Sequence, residues 1–438
     1  MSSLRIPSLQ EYQNGVDLRA AYLTGSEAID GIDADVAQDT QLSVIADAGG
    51  EGSVIVDSAN ALLQGLYPPF NESIVLANGT TVAWNQRAQL IQIATHEGDQ
   101  SIDMEGWSEC DTWTNSLSEW YESSDFNSKS EEAESFYSSI KPLLGNRPAN
   151  LENAWNLFDF INVESIHNAT LSASLSPHVA QARYYADYHE AGAFANPDPA
   201  SVFNIAGQSI LPLVLDGMDQ IVNSSNPLKI QYLSASYKPF LSLFEMMDVP
   251  SPLPTSVVDY ASAAVWEVYT DSTVKLRFRN GTQGEFQSYP LLGSESTSIN
   301  SLKDKLEPYA LSTRASWCNK CGTTDSRGCN VLALYNGTGG AGYASEASTT
   351  GRHRVSPVVG GVIGALITLA LVAAIMTLWA FLAPSRRRIS SGAIGQPLDK
   401  KRRKNSHEML RRTVSDHDTI ASQNDTGATA HDKGSLEA

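Results

Sequence analysis

An uncharged, hydrophobic segment near the carboxyl end constrains this chain more than any other feature. Residues 355–385 carry no charged side chain, and the run from Val358 to Ala383 is almost entirely apolar. A helix needs about 20 such residues to span a hydrocarbon core of roughly 30 Å, whereas a buried core helix of this length would keep a polar face. We therefore predict a single C-terminal transmembrane helix over residues 356–384, with the membrane as a partner of the chain.

The charges are divided unevenly by this segment. The tail from residue 386 onward holds 11 basic and 7 acidic residues, so the formal net charge of −19 divides into −23 before the segment and +4 after it. Basic residues flank a membrane helix on its cytoplasmic side, so we predict a type I single-pass topology with the ectodomain extracellular or lumenal. Residues 385–438 are then a basic, disordered cytoplasmic tail, which either contacts anionic lipid headgroups or only fixes the topology. The acidic ectodomain excludes nucleic acid as a partner.

Sequons for N-glycosylation agree with an outside location. Six candidates precede the predicted span: Asn71, Asn78, Asn168, Asn223, Asn280 and Asn336. Each lies in an Asn-X-Ser/Thr acceptor, and as a group they predict a glycoprotein. A seventh sequon at Asn424 lies in the tail, where we expect no glycan.

Two further segments concern the organisation of the chain. Residues 336–355 are rich in Gly, Ser and Thr, which predicts a flexible stalk before the membrane. The first residues lack the basic and then apolar pattern of a signal peptide. We therefore expect the natural start of the protein to lie upstream.

The chain has four cysteines, all before the predicted span: Cys110, Cys318, Cys321 and Cys329. An even number in an oxidising compartment predicts two disulfides, in any of three pairings. A zinc site is the alternative for the last three, but a second Cys-x-x-Cys and a nearby histidine are lacking. We expect disulfides, and neither a metal nor a cofactor.

Hydrophobic periodicity predicts helices that alternate with short strands, which indicates an α/β fold. The predicted helices are 9–23, 54–66, 131–144, 150–165, 177–192, 200–222 and 238–247. The predicted strands are 42–46, 228–233, 265–269 and 274–279. For the last two strands, Asn280-Gly281 is the expected turn.

Three tryptophans precede the long helical region: Trp107, Trp113 and Trp120. They recur six and seven residues apart. We interpret them as core packing of the helical region and not as a carbohydrate-binding platform.

Several segments, in their order along the chain, resemble a known family. A helix carrying LQEYQNGVDLRAAYL precedes a strand, then DSANALLQGLYPP at 57–69 and YLSASYKPF at 232–240. Over roughly residues 8–335 this order resembles the histidine acid phosphatases, branch 2 of the phosphoglycerate mutase-like superfamily. SWCNKCG at 316–322 and the predicted anchor look like a fungal, membrane-anchored subgroup. The resemblance implies an N-terminally truncated ectodomain over 1–335, with a phosphoglycerate mutase-like central sheet and a helical inserted subdomain at about 100–225.

The chemistry of that family depends on residues that this chain replaces. In the family, a histidine within Arg-His-Gly-x-Arg attacks a phosphomonoester, arginines bind the phosphate, and a late His-Asp pair protonates the leaving alcohol. This sequence has no Arg-His-Gly-x-Arg segment. The late pair falls on Ser236 and Tyr237, and a third arginine of the family falls near Val54. Serine cannot carry the charge of the imidazole, and a phenol with a pKa of about 10 is a poor acid.

These departures leave three hypotheses. We favour a single-pass surface glycoprotein whose phosphatase-like ectodomain is catalytically impaired, a pseudoenzyme in which Ser236 and Tyr237 are degenerate catalytic positions. The first alternative is an active or weakly active acid phosphatase that hydrolyses extracellular phosphomonoesters once its missing N-terminus is restored. The second is a non-catalytic envelope glycoprotein with a ligand-binding or structural role. The expected ligand is a phosphomonoester or a glycan.

Two histidines with acidic neighbours are weaker candidates for a site. On the predicted helix 177–192, Asp187 and Glu190 share a face that excludes His189. We expect solvated or helix-capping side chains there. His96 and Glu97 lie in a stretch whose composition is typical of a solvated loop.

Overall fold

The computed structural model describes residues 5–49, 53–97 and 101–332. Within these ranges, no helix combines the length and the apolar character that crossing a bilayer requires. The predicted transmembrane helix, the stalk, the tail and Asn336 lie outside the described residues.

The described residues form an α/β fold. The helices are α1 (Arg5–Tyr22), α2 (Val54–Leu66), α3 (Asp111–Tyr121), α4 (Ser124–Ile140), α5 (Ala154–His167), α6 (Ser172–Leu175), α7 (Val179–Phe194), α8 (Ile205–Val222), α9 (Lys238–Met246), α10 (Ile299–Leu306) and α11 (Arg314–Cys321). The strands are β1 (Leu42–Asp47), β2 (Phe70–Val75), β3 (Thr81–Arg87), β4 (Ala94–His96), β5 (Ile230–Ser234), β6 (Ala263–Val268), β7 (Thr273–Arg279), β8 (Gln287–Tyr289) and β9 (Thr297–Ser298).

A parallel three-stranded sheet, in the order β4-β1-β5, brings three strand ends together. Ala46 of β1 lies opposite Ser234 of β5, and Asp47 lies opposite His96 of β4. Neighbouring strands of a sheet lie about 4.8 Å apart. The chain segments that follow these strands therefore start within a few ångströms of each other.

Helices α1 and α2 approach each other at two glycines. A Cβ on Gly15 would lie 1.9 Å from the backbone oxygen of Leu62, and a Cβ on Gly65 would lie 2.1 Å from that of Tyr12. Any larger residue would force the two helices apart. The apolar face of α2 buries Leu62 and Leu63 beneath this contact.

A second, antiparallel sheet has the order β6-β7-β8, with β9 also paired to β7. Its inner face forms the largest core cluster with α8, α9 and α10. The expectation that Asn280-Gly281 joins the two predicted strands is wrong. The β6–β7 connection is at residues 269–272, because Ala263 pairs with Arg279 at the far end of the hairpin. Asn280 follows β7, and its side-chain oxygen accepts a hydrogen bond of 2.8 Å from the backbone N–H of Asp259.

Most helices that lie between β4 and β5 along the chain were expected from the hydrophobic periodicity. Helices α4, α5, α7 and α8 lie where apolar spacing predicts helices, whereas α3 and the β2–β3 hairpin were not predicted. Trp113 stacks on Phe194 at 5.2 Å between ring centroids, and Trp120 meets Phe126 edge-on at 4.8 Å. Trp107 is buried in a cluster with Phe194. The core-packing interpretation of the three tryptophans is confirmed.

Two disulfides fix the pairing that the sequence left open. Cys110 is bonded to Cys321, and Cys318 to Cys329. All four sulfurs are thereby used, so no thiolate remains for zinc and the zinc alternative is wrong. Both bonds hold α11, and the first joins it to the start of α3.

Candidate functional site

The candidate site lies at the carboxyl edge of the parallel sheet, where α/β proteins commonly bind ligands. Asp47 ends β1 and is buried, and one of its carboxylate oxygens accepts a hydrogen bond of 3.0 Å from the backbone N–H of Gly49. His96 ends β4. From the end of β5 the chain runs through Ser236 and Tyr237 into α9. This edge therefore gathers the late turn identified in the sequence and His96, for which the sequence predicts a solvated loop.

The turn after β5 contains the two positions at which the resemblance implies a His-Asp pair. The Ser236 hydroxyl is buried and has no hydrogen-bond partner among the described residues. The Tyr237 hydroxyl donates a hydrogen bond of 2.6 Å to Glu190 Oε2. The Tyr237 ring lies against Trp155, with 4.1 Å between ring centroids. Neither hydroxyl is therefore placed as a mobile acid.

A buried chain of hydrogen bonds continues from Tyr237. Glu190 Oε1 lies 2.7 Å from His189 Nδ1, and His189 Nε2 lies 2.7 Å from the Tyr121 hydroxyl. A carboxylate can only accept, so His189 donates through Nδ1 to Glu190. Burial raises the pKa of the Tyr121 hydroxyl, and the charge of Glu190 raises it further. The four side chains form one connected polar network.

The expectation of solvated side chains at Asp187–Glu190 is wrong for two of the three residues. His189 and Glu190 are 7% and 3% exposed, because α7 packs against both α5 and α9. Asp187 accepts a hydrogen bond of 2.8 Å from the backbone N–H of Val257, and burial raises the pKa of its carboxyl. Asp187 is partly exposed, as expected, but it caps no helix: it accepts from a backbone group outside α7.

A cation lies beside the late turn. The Lys238 ammonium is 4.8 Å from the ring centroids of both Trp107 and Tyr237. A cation over aromatic faces is stabilised by the ring quadrupoles. Lys238 begins α9 directly after Tyr237, so the sequence already placed it beside the turn but did not indicate its aromatic neighbours.

On the other side of β1, His96 forms a close pair with an acid. His96 Nδ1 lies 3.0 Å and 2.9 Å from the two carboxylate oxygens of Asp103, which also accepts a short hydrogen bond from the Ser101 hydroxyl. A cleft of about 400 Å³ adjoins this pair. It is lined by Thr95, His96, Glu97, Ser101, Ile102, Ser312 and Arg314. The expectation of a merely solvated loop is wrong for His96, since its imidazole is oriented by a carboxylate.

The remaining predicted positions are distributed over the surface. Val54, where the resemblance implies an arginine, begins α2 and is 42% exposed, so this position offers an anion no charge. Five sequon asparagines lie in the described part of the chain. Asn71, Asn78, Asn223 and Asn280 are exposed, and Asn168 is partly buried. Glycosylation at these positions stays a prediction.

Comparisons with known proteins give structural likenesses only. No protein-family model matches the chain, and no curated protein matches it in sequence. Solved structures that it resembles include phytases from Klebsiella sp. ASR1, Citrobacter braakii and Hafnia alvei, at 12%, 12% and 11% identity with TM-scores of 0.44, 0.46 and 0.42. The matches cover 70%, 73% and 71% of this chain and 85%, 88% and 87% of the respective phytases. At this identity and TM-score the likeness says nothing about the chemistry of this chain.

Proposed function

We propose that this chain is a single-pass surface glycoprotein whose ectodomain is similar to the histidine acid phosphatases but catalytically impaired. The observation that supports this most is the state of the turn after β5. There, the Ser236 hydroxyl is buried with no hydrogen-bond partner in the described part of the chain, and the Tyr237 hydroxyl is bound to Glu190. A phosphatase of the family that the sequence resembles would need a proton donor at this turn.

The physical argument concerns the leaving group. An alcohol leaves a phosphomonoester readily only if an acid within hydrogen-bond reach protonates its oxygen, and such catalysis contributes about 10²- to 10⁴-fold. The reference pKa of a phenol lies about six units above that of a carboxyl, so a phenol at this turn is a weaker acid. Its proton is also shared with the Glu190 carboxylate, which stabilises the protonated phenol. Hydrolysis at this turn therefore lacks its acid step.

The experiment compares two substrates on the purified full-length chain in detergent. An aryl phosphate has a good leaving group and an alkyl phosphate a poor one, so only the second depends strongly on an acid. At a pH of about 5 we expect no turnover of the alkyl phosphate above the buffer rate, because its leaving oxygen needs the missing acid. We also expect none of the aryl phosphate, because the sequence has no Arg-His-Gly-x-Arg segment to attack it. Turnover of the alkyl phosphate that is lost in Tyr237→Phe would overturn the proposal and identify an active acid phosphatase. Ser236→Ala is the matched control in the same turn.

The location of the protein is a separate part of the proposal. We place the acidic ectodomain outside the cell or in a lumen, the predicted helix 356–384 across the bilayer, and the basic tail in the cytoplasm. Removal of N-glycans should lower the apparent mass, and protease added outside sealed cells should leave only a tail fragment. A glycan mapped to Asn424 would contradict this topology.

The ligand of the impaired domain follows from the same reasoning. A domain without an acid step can still bind, so we propose a phosphomonoester or a glycan as ligand and no nucleic acid. Binding of an unhydrolysed alkyl phosphate, measured by calorimetry on the full-length chain, would support a ligand-binding role. Absence of binding to both ligand classes would favour the structural envelope role.

A further inference from the structure

The β2–β3 hairpin carries a group of apolar side chains that the rest of the described chain leaves exposed. Ile74 is 56% exposed, Leu76 45% and Val82 51%. Ile74 lies opposite Val82 in the hairpin register, and Leu76 follows Ile74 by two residues, so the three side chains share one face of the ribbon. We call this the apolar face. No charged residue interrupts it, since residues 73–83 contain none.

The edges of this hairpin also lack a partner strand among the described residues, because the sheet consists of β2 and β3 alone. Open edges with exposed apolar side chains pair readily with other chains, and proteins usually blunt them with lysine, proline or a covering element. Residues 73–83 contain neither lysine nor proline. A hairpin of only two strands is also marginally stable in water. The apolar face therefore calls for a cover.

A glycosylation acceptor lies at the tip of the same hairpin. Asn78-Gly79-Thr80 connects β2 to β3, and Asn78 is exposed. The Asn78 side-chain oxygen accepts a hydrogen bond of 3.0 Å from the backbone N–H of Thr80, which orients the amide. A Cβ built on Gly79 would meet no atom within 4 Å. The tip therefore leaves space for a substituent on Asn78.

The chemistry of an N-glycan matches such a surface. The C–H faces of the sugar rings and the methyl groups of the N-acetyl substituents are apolar, whereas the hydroxyls remain in water. Contact of these apolar parts with the exposed side chains removes both from water, which is favourable. Val82 lies four residues beyond Asn78, about 13 Å along an extended strand, and a chain of a few sugar rings covers that span.

We propose that Asn78 carries an N-glycan whose first sugars pack on the apolar face and cover the open hairpin. This inference rests on the proposed outside location, because the acceptor is modified in secreted and surface proteins. Transfer forms a bond between Asn78 Nδ2 and C1 of an N-acetylglucosamine, and the bond from C1 to a phosphate oxygen of a lipid-linked diphosphate donor breaks. The lipid diphosphate is the leaving group, and one Nδ2 proton passes to a base.

Two other occupants of the apolar face are less consistent with the chain. A lipid bilayer that contains anionic headgroups repels the strongly acidic ectodomain. A second copy of the chain would pair along the open edges, but a bulky glycan at the tip obstructs the approach of two hairpins. The glycan agrees with both the charge and the position of the acceptor.

The first measurement maps glycopeptides by mass spectrometry on the protein purified from its native cells. We expect a glycan on Asn78. An unmodified Asn78 in a chain that carries glycans at other acceptors would overturn this inference and leave the proposed location intact. A chain without any N-glycan would overturn both.

A pair of variants at one position tests the role of the glycan. Thr80→Ala removes the acceptor, whereas Thr80→Ser keeps it. Sedimentation velocity of the full-length chains in lipid nanodiscs measures self-association. We expect Thr80→Ala to self-associate about tenfold more tightly than wild type, because burying the exposed parts of a few aliphatic side chains suffices for that change. Thr80→Ser should behave as wild type, and so should Ser225→Ala, which removes the exposed acceptor at Asn223.

A second substitution shows whether the apolar face is the surface concerned. Val82→Thr keeps the branched shape of the side chain but makes it more polar. Added to Thr80→Ala, it should reverse the self-association. Equal association of Thr80→Ala and wild type, or an association that Val82→Thr does not reverse, would overturn the inference.

Hydrogen exchange of the wild-type protein, before and after enzymatic removal of its glycans, does not depend on variants that fold. We expect the hairpin amides at 73–76 and 80–83 to exchange several-fold faster after removal. The amides of β7, which pairs with strands on both sides, should not change. Unchanged exchange in the hairpin would overturn the packing of the glycan on the apolar face. Protection that requires lipid and not the glycan would assign the face to the bilayer and overturn the inference equally.

Discussion

Replacement of Glu11 by Gln should stabilise the protein relative to wild type at neutral pH but not at acid pH. Glu11 lies on α1 and accepts a hydrogen bond of 3.3 Å from Asn14 Nδ2. Asn14, also on α1, is buried, and its side-chain oxygen accepts a hydrogen bond from the Arg279 guanidinium. The same guanidinium donates to Asp17 at 2.7 Å. Burial raises the pKa of the Glu11 carboxyl from 4.5 to about 7, although Asn14 and Arg279 act in the opposite direction.

The sign and size follow from linkage. A carboxyl whose pKa is higher in the folded state favours folding below its unfolded pKa of 4.5, and that stability is lost as the pH rises to about 7. At about 1.4 kcal/mol per pH unit, the ionised Glu11 costs the folded state up to about 3 kcal/mol at neutral pH. A glutamine keeps an acceptor for Asn14 but does not ionise. The stability difference between Glu11→Gln and wild type should therefore grow from near zero at pH 4 to about 3 kcal/mol at pH 8.

Urea unfolding followed by tryptophan fluorescence at several pH values measures this difference. Glu119→Gln on α3 is the matched control, because Glu119 is exposed and its replacement should leave a difference near zero throughout. A Glu11→Gln difference that does not change with pH would refute the reasoning. It would mean that Glu11 ionises in the folded protein as easily as in the unfolded chain.

Three further changes test the packing and the cross-links. Cys110→Ser opens a disulfide loop with a sequence separation of 211 and should lower the free energy of unfolding by about 5 kcal/mol. Cys318→Ser opens a loop of 11 and should lower it by about 3 kcal/mol. Unfolding with and without reductant checks this order. Gly65→Ala brings a Cβ to 2.1 Å from a backbone oxygen of α1 and should lower the free energy of unfolding by about 2 kcal/mol. Gln64 is exposed, so Gln64→Ala should change it little, and thermal unfolding measures both variants. Ser236→Ala removes a buried hydroxyl that has no hydrogen-bond partner within residues 5–49, 53–97 and 101–332, and it should stabilise the protein by about 1 kcal/mol in urea. A loss of stability in that variant would mean that the hydroxyl has a partner.

Elements with one buried face could be predicted from the sequence. Helix α2 buries Ile55, Ala59 and Leu62 at helical spacing and ends before two prolines, so its limits follow from local pattern alone. The short strand β1 is likewise an apolar run. Such patterns report burial on one side and need no knowledge of the partner.

The site was harder to predict because it depends on pairs of side chains from distant segments. Helix α7 is packed on more than one side, so helical spacing alone placed His189 in solvent. Its two ring nitrogens meet Glu190 on the same helix and Tyr121, which is 68 residues away. The pair of His96 and Asp103 lies close in sequence, but nothing local indicates that the two side chains meet.

Residue type and order are enough to establish that Ser236 and Tyr237 follow the late strand and that four cysteines can form two bonds. What those residues do depends on the packing of distant segments. It bound the Tyr237 hydroxyl to Glu190, chose one of three cysteine pairings, and brought Arg314 to the cleft beside His96. The physical reason is that residue type and spacing limit the interactions a side chain can make, whereas the packing of distant segments selects which of them is formed.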